Sequence, residues 1–586
     1  MLLRIACCCL LLATAYAADS SLPIGEPVLG IPTIHSLGVH WVVGGDDDGD
    51  ASVAVAYRAT GAKTWRQAMP LRRVRPGAHL GNGKDVNASA VLVPDGARLY
   101  AGSILFLDPA TAHEVRLSLA DPDGGDAERT VAAATIAEPE LPRAARVRHV
   151  VPGDGGGSGS ERDPFRGIAA AAAAAAPGDR FVLAAGTYAG TFDFSTSGEP
   201  DRPIVWSGPA TGEAVIDGQG APRAATAGGC RDVWFHRIAF TKAEFALVAH
   251  GSQRIRVTRC RFADVGYGVV AGDQGRGQPQ RFFIADNTFV GRMRWLLIGV
   301  GDAEGDAQWK REERAVQLSG SGHVVCRNAI RAFKDGIDLF PAAGGTCDND
   351  IYLNAIAECI DDGIELDYGE RNNRVWHNRI ANVHCGITIQ PVFGGPNYVV
   401  RNTLYNVVNE VFKIHNAPSG VLFLHNTSVV RGMPFQISVG QPSYDIVFRN
   451  NLFIGTGGRA MNYDAPACED IDLDHDGFGG WSGDVFMKVY DKRYATPDDA
   501  RAQAPVERHH ALVDPATAFA SGVVPPLEHK VAYPLDLDLR LKPGTAAIDA
   551  GQPLPGINDG FAGKGPDLGA CEVGAALPEY GPRPER

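Results

Sequence analysis

The stretch "VWHNRIANVHCGITIQPVFGGPNYVVRNTLYNVVNEVFKIHNAPSGVLFLHNTS", residues 375–428, holds one pattern three times: VWHNRI at 375–380, VVRNTL at 399–404 and FLHNTS at 423–428. Each has an apolar residue three places before an asparagine. Asn354, Asn378, Asn402, Asn426 and Asn450 are each 24 residues apart. His236 and Cys260 share that interval and phase, and Asn287 and Asn328 join with insertions between. Val233, Val257, Ile284, Val325, Ile351, Val375, Val399, Phe423 and Val447 stand three residues before these positions. Two residues after them the chain is apolar every time except at Ser428. A period this strict means stacked coils, each with three short strands and three turns. Coils stack at about 4.8 Å, so every column of side chains becomes a ladder. A turn asparagine in each coil can then bond the backbone and the asparagine above it, which is a structural role.

The expected fold is all-β: a parallel solenoid of coils of about 24 residues, preceded by a small β-sandwich. The repeat resembles the right-handed parallel β-helix of pectin-degrading enzymes, over residues 180–575. Ahead of it, Asp163 can cap a helix, Pro164 suits the first turn, and FRGIAAAAAAAA runs on to Pro177-Gly178. Such a helix would cover the first edge of the solenoid, which is assigned residues 145–586. Residues 22–138 read as short alternating strands that resemble a fibronectin type III sandwich, with Trp41 and Trp65 in its core. Near the other end, Asp549, Asp567 and Glu572 sit among glycines and read as turn residues.

The chain has 586 residues and a net charge of −13, with no basic stripe, which argues against a nucleic-acid partner. Residues 1–17 read as a secretory signal peptide, with Arg4, a short apolar run and Ala15-Tyr16-Ala17. No later stretch is apolar enough to cross a membrane. The expectation is a secreted or periplasmic monomer that meets a polysaccharide or oligosaccharide. Eight cysteines follow the leader with no zinc-binding spacing, and both disulfides and buried thiols suit that compartment.

Residues 360–373, IDDGIELDYGERNN, crowd five carboxylates into eleven positions. Placed on the coil, GIDLF, GIELD, GITIQ, FKIHN and FQISV align. Alternation turns Ile337, Ile364, Ile387, Phe412 and Phe435 inward. Asp338, Glu365, Thr388, Lys413 and Gln436 then form one outward column, with Asp367, Gln390 and His415 in the next. Asp335, Asp361 and Asp362 lie at the turn leading in. The strip spans roughly 15–20 Å, a few sugar units. Glycosidic cleavage needs one protonated and one ionised carboxyl, and crowding pushes such groups apart in pKa. Asp335, Asp361, Asp362 and Glu365 are the expected catalytic acids. Asp338, Asp367, His384, Gln390, Lys413 and His415 are expected to bind substrate. The insertion at 296–322 would wall the groove, with Trp309 stacking on a sugar.

The order FKDGID, IDDGIE, VHCGIT, VFKIH resembles the motifs of polygalacturonase-type pectin hydrolases. Phe333 replaces their first asparagine, Cys385 stands where their histidine would, and Val411 replaces their arginine. The resemblance implies Asp362 as general acid, Asp335 with Asp361 activating water, and His384, Lys413 and His415 binding or tuning. That hydrolysis requires no cofactor. A pectate-lyase-type reading is the alternative: Glu365 and Asp367 would hold calcium against a uronate, with Lys413 or His415 as base. A non-catalytic carbohydrate-binding solenoid is the third reading. Asp472, Asp474 and Asp476 also open a calcium-loop pattern, although Gly483 stands where its last acid belongs.

Overall fold

The computed structural model describes residues 19–75, 91–295, 303–340, 345–438, 440–466 and 471–584. The expected signal peptide and Cys468 lie outside them. Among the described residues no helix is long and apolar enough to cross a membrane.

Seven antiparallel strands come first. Leu22–Leu29, Leu37–Gly44 and Ala97–Ile104 form one run; Arg66–Arg73, Ser52–Ala59, Ala112–Ala120 and Ala127–Ala134 form another. A short pairing of Arg72 and Arg73 with Ala101 and Tyr100 joins them. The strands curl round a core of Trp41, Val55, Tyr100 and Leu117. Trp65 departs from expectation. It is half-buried outside this core, where the guanidiniums of Arg58 and Arg116 lie 4.4 and 4.5 Å from its ring centre. Cation–π contact gives an indole an alternative to the interior.

From Arg146 to Leu512 the chain winds a parallel β-solenoid, the fold class expected. Two long sheets run its length. The second bends, because single strands such as Ala355–Glu365 and Arg379–Ile389 turn the corner at an irregularity after Cys359. Each middle coil therefore has three faces: Asp350–Tyr352, Ala355–Ala357 and Asp362–Glu365. Ile337, Ile364, Ile387 and Phe412 pair in register and are buried inside. Phe240, Phe262 and Phe289 stack with centroids 5.0 and 4.5 Å apart.

The asparagine ladder is continuous. Nδ2 of Asn287, Asn328, Asn354, Asn378 and Asn402 each donates to Oδ1 of the next asparagine at 2.9–3.0 Å. Asn426 passes the ladder to Asn451, not to Asn450 as expected, and Asn451 passes it to Asp476. One extra residue in that coil moves Asn450 to the preceding turn position, where it donates to His425 Nε2. That turn position is left-handed in successive coils: His377, Arg401, His425 and Asn450 have φ of 49–60°. Side chains other than glycine resist this conformation, so the ladder bonds offset a repeated local cost. A second ladder, Asn349–Asn373–Asn397, runs along another edge.

The N-terminal helix is shorter than expected, only Ile168–Ala173. Asp163 accepts from the Ser158 amide instead of capping it, and Phe165 pairs as a strand with Val150. Gly167, at φ 98°, makes the turn between strand and helix. Ile168 and Ala171 still close the core beside Val150 and Phe181.

Two of the three faces are covered by other parts of the chain. Ile34, Leu105 and Phe106 of the first sheet pack on Phe283, Tyr352, Trp376 and Tyr398 of the first face. Thr33 donates to Asp350, itself 2.6 Å from Arg374, and Tyr398 Oη accepts from the Ser103 amide. Val513, Phe519, Leu539 and Leu541 of the C-terminal segment pack on Ala381, Tyr405 and Val429 of the second. In that segment Asp549, Asp567 and Glu572 accept backbone amides of Lys564, Val573 and Ala562, as turn residues do. The described cysteines are unpaired, six of them buried.

Candidate functional site

The third face consists of the strands Arg314–Leu318, Asp335–Leu339, the end of Ala355–Glu365, the end of Arg379–Ile389, and Phe412–Ile414. Gln317, Asp338, Glu365, Thr388 and Lys413 stand in one register. The column from Asp338 to Lys413 is therefore the expected one. Gln436 is not part of it: its strand pairs with Met461–Asp464 in a separate small sheet.

At the head of this face a carboxylate oxygen from each of Asp335, Asp361 and Asp362 lies within 4.8 Å of the others. The Asp362 amide donates to Asp335 Oδ1 at 3.1 Å. Lys413 Nζ is 3.0 Å from Asp362 Oδ2 and 3.9 Å from Asp361 Oδ1. His384 Nδ1 is 3.7 Å from the same Asp361 oxygen. Trp309, at the end of the helix Ala303–Trp309, meets His384 edge-on at 5.4 Å, and Lys334 Nζ sits 5.5 Å from its ring centre. The insertion thus reaches the site. Asp367 Oδ1 accepts the Gln390 amide at 2.7 Å. His415 is drawn to Glu410, 3.0 Å away.

Arg314 is the residue that sequence reading missed. Its Nε is 2.7 Å from Asp338 and 3.8 Å from Glu365, and its Nη2 is 3.3 Å from Asp335. A signal exists in the sequence: RAVQL at 314–318 repeats the alternation of DGIDL at 335–339, but it follows directly on the charged run of the insertion, which masks it.

The acids divide by environment. Burial pushes Asp335 well above the usual carboxylate range, against the opposing pull of Arg314. Burial raises Glu365 likewise, and the Asp335 and Asp338 charges add to it. Asp367 is raised by burial and by Asp362. Asp361 goes the other way: burial acts to raise it, but the neighbouring His384 and Lys413 together hold it below its ordinary value. Burial acts to lower Lys413, yet Asp362 and Asp361 outweigh it and keep the ammonium charged. The side chains of Asp335 and Asp362 are 1% and 0% exposed, whereas Asp361 and Glu365 are 15% and 13% exposed. Only the latter two can touch a ligand. Thr388 Oγ1 and Gln390 Oε1 are buried with no hydrogen-bond partner among the described residues.

The structure does not bring Asp472, Asp474 and Asp476 together as one ligand set. Asp472 pairs with Arg449, Asp474 with His509, and Asp476 ends the asparagine ladder. Asp472 and Asp474 share the outer face of the strand Ile471–Asp474, and the left-handed turn residue His475, at φ 61°, sends Asp476 inward.

No curated protein matches the chain. Among solved structures, XylC in complex with xylose aligns at 13% identity and a TM-score of 0.48, covering 73% of this chain and 98% of its own. The catalytic domain of a GH87 α-1,3-glucanase in complex with tetrasaccharides aligns at 10% identity and a TM-score of 0.31, covering 87% of this chain and 96% of its own. Residues 245–467 match the family described as the right-handed β-helix region, and these residues include the whole acidic face.

Proposed function

We propose that the third face hydrolyses glycosidic bonds in a polysaccharide. The observation that carries this is that two of the four crowded acids, Glu365 and Asp361, reach the surface, and their surroundings shift them in opposite directions, Glu365 up and Asp361 down. That is the division of labour hydrolysis needs, a proton donor to the leaving oxygen and an ionised partner to activate water. In this reading Glu365 is the donor and Asp361 the base. Asp335 and Asp362, too buried to touch substrate, set the field around them. Gln390 and Trp309, both half-buried at this face, are left to meet the sugar, whereas Thr388 is as buried as Asp362.

Elimination is less well supported. A lysine base would have to lose a proton, but Lys413 is held charged by Asp362 and Asp361. The cations on the floor, Arg314 and Lys413, already face acids, so neither is free to meet a uronate carboxylate.

A panel of neutral and uronate-containing polysaccharides, read for reducing ends and for absorbance of unsaturated products, tests the proposal. Glu365→Gln and Asp361→Asn are each expected to lose about 10²- to 10⁴-fold in rate with the fold retained. Activity should fall with rising pH as Glu365 ionises, and fall at acid pH as Asp361 protonates. Unsaturated products, or full turnover by both variants, would refute it.

A further inference from the structure

The calcium-like pattern at Asp472–Asp476 leaves one acid, Asp474, beside two histidines. Asp474 Oδ1 accepts the amides of His475 at 3.0 Å and His509 at 2.7 Å, which fixes the carboxylate. Its Oδ2 lies 2.6 Å from His509 Nδ1. The rings of His475 and His509 stack 4.8 Å apart at 12°. One ligand atom from each of the three residues lies within 4.8 Å of the other two. We propose that Asp474, His475 and His509 bind a divalent transition cation of the zinc type, which staples the C-terminal end of the solenoid.

The donor set selects the ion. Two imidazoles and one carboxylate suit zinc and its neighbours, with a fourth place left to water. Calcium wants six to eight oxygens, and the other acids of the segment are turned away to Arg449 and to Asn451. The lone pairs of parallel rings do not converge, so binding requires the exposed His509 ring to turn out of its stack on His475 and open its contact with Asp474. Its position gives it a structural task. Asp474 ends the strand Ile471–Asp474, whereas His509 follows Glu507, whose amide bonds Leu473 at 2.7 Å. An ion here ties the last coil to the segment that closes it.

The experiment uses the untagged full chain, titrated with zinc chloride and, separately, calcium chloride. Calorimetry should give one zinc per chain, thermal unfolding should shift upward with zinc and not with calcium, and cobalt should give the visible bands of a nitrogen–oxygen site. His509 is 65% exposed, so His509→Ala is expected to melt with the metal-free wild type and to lose the zinc-dependent rise. His475→Ala should lose it as well. Absence of zinc binding, an equal response to calcium, or a zinc shift that survives in either variant would overturn the proposal.

Discussion

At Arg314 one guanidinium faces Asp335, Asp338 and Glu365, and this explains how so many acids are held under one surface. Charges buried this far are tolerated only when paired or neutralised, and both devices are in use. Asp335 keeps its proton to a pH above its unfolded value. The native state therefore binds more protons than the unfolded chain once pH exceeds about 4, and stability must fall as pH rises through the interval between the two values. Asp335→Asn keeps the oxygen that accepts the Asp362 amide and removes the ionisation. It is expected to match the wild type at pH 4 and to exceed it at pH 8, measured by urea unfolding. A variant less stable than the wild type at pH 8 would mean that the Arg314 pairing outweighs burial.

The asparagine ladder is the element that sets the coil. Asn378 donates to Ile351 O and to Asn402 Oδ1, and its own Oδ1 accepts from the Asn354 amide. Asn378→Ala strands these buried groups, at a cost of about 1–3 kcal/mol for each left unmet, read as a lower denaturation midpoint. The end rung makes a complementary case. Asp476 takes the place of an asparagine, is pushed up to about 7 by burial, and its own amide lies 3.4 Å from the Glu507 carboxyl. Asp476→Asn continues the ladder without a charge. The wild type should lose stability between about pH 4 and pH 7 as this group ionises, and the variant should be spared that loss. Equal slopes in the two proteins would mean that Asp476 does not titrate there.

On the scale of the whole molecule, the N-terminal sheet is not a tethered module. Ile34, Leu105 and Phe106 share a core with Tyr352, Trp376 and Tyr398. Two parts joined by an apolar interface should melt together, so one calorimetric transition is expected, and deleting residues 22–138 should expose that face and cause aggregation. Two separated transitions would contradict this. The stack, its 24-residue coil, the inward Ile337–Ile364–Ile387–Phe412 column and the outward acids were legible in the order of residues, because in a solenoid each residue meets its counterpart one period away. Folding in three dimensions was needed to bring Arg314 to the acids, to take Trp65 out of the core, to put Asn451 in place of Asn450, and to turn Asp474 to His509. It also decided which faces are covered. These outcomes depend on a bulge, on an insertion folding back, or on segments such as Ser103 and Tyr398 that lie 295 residues apart, and a local period carries no record of such meetings.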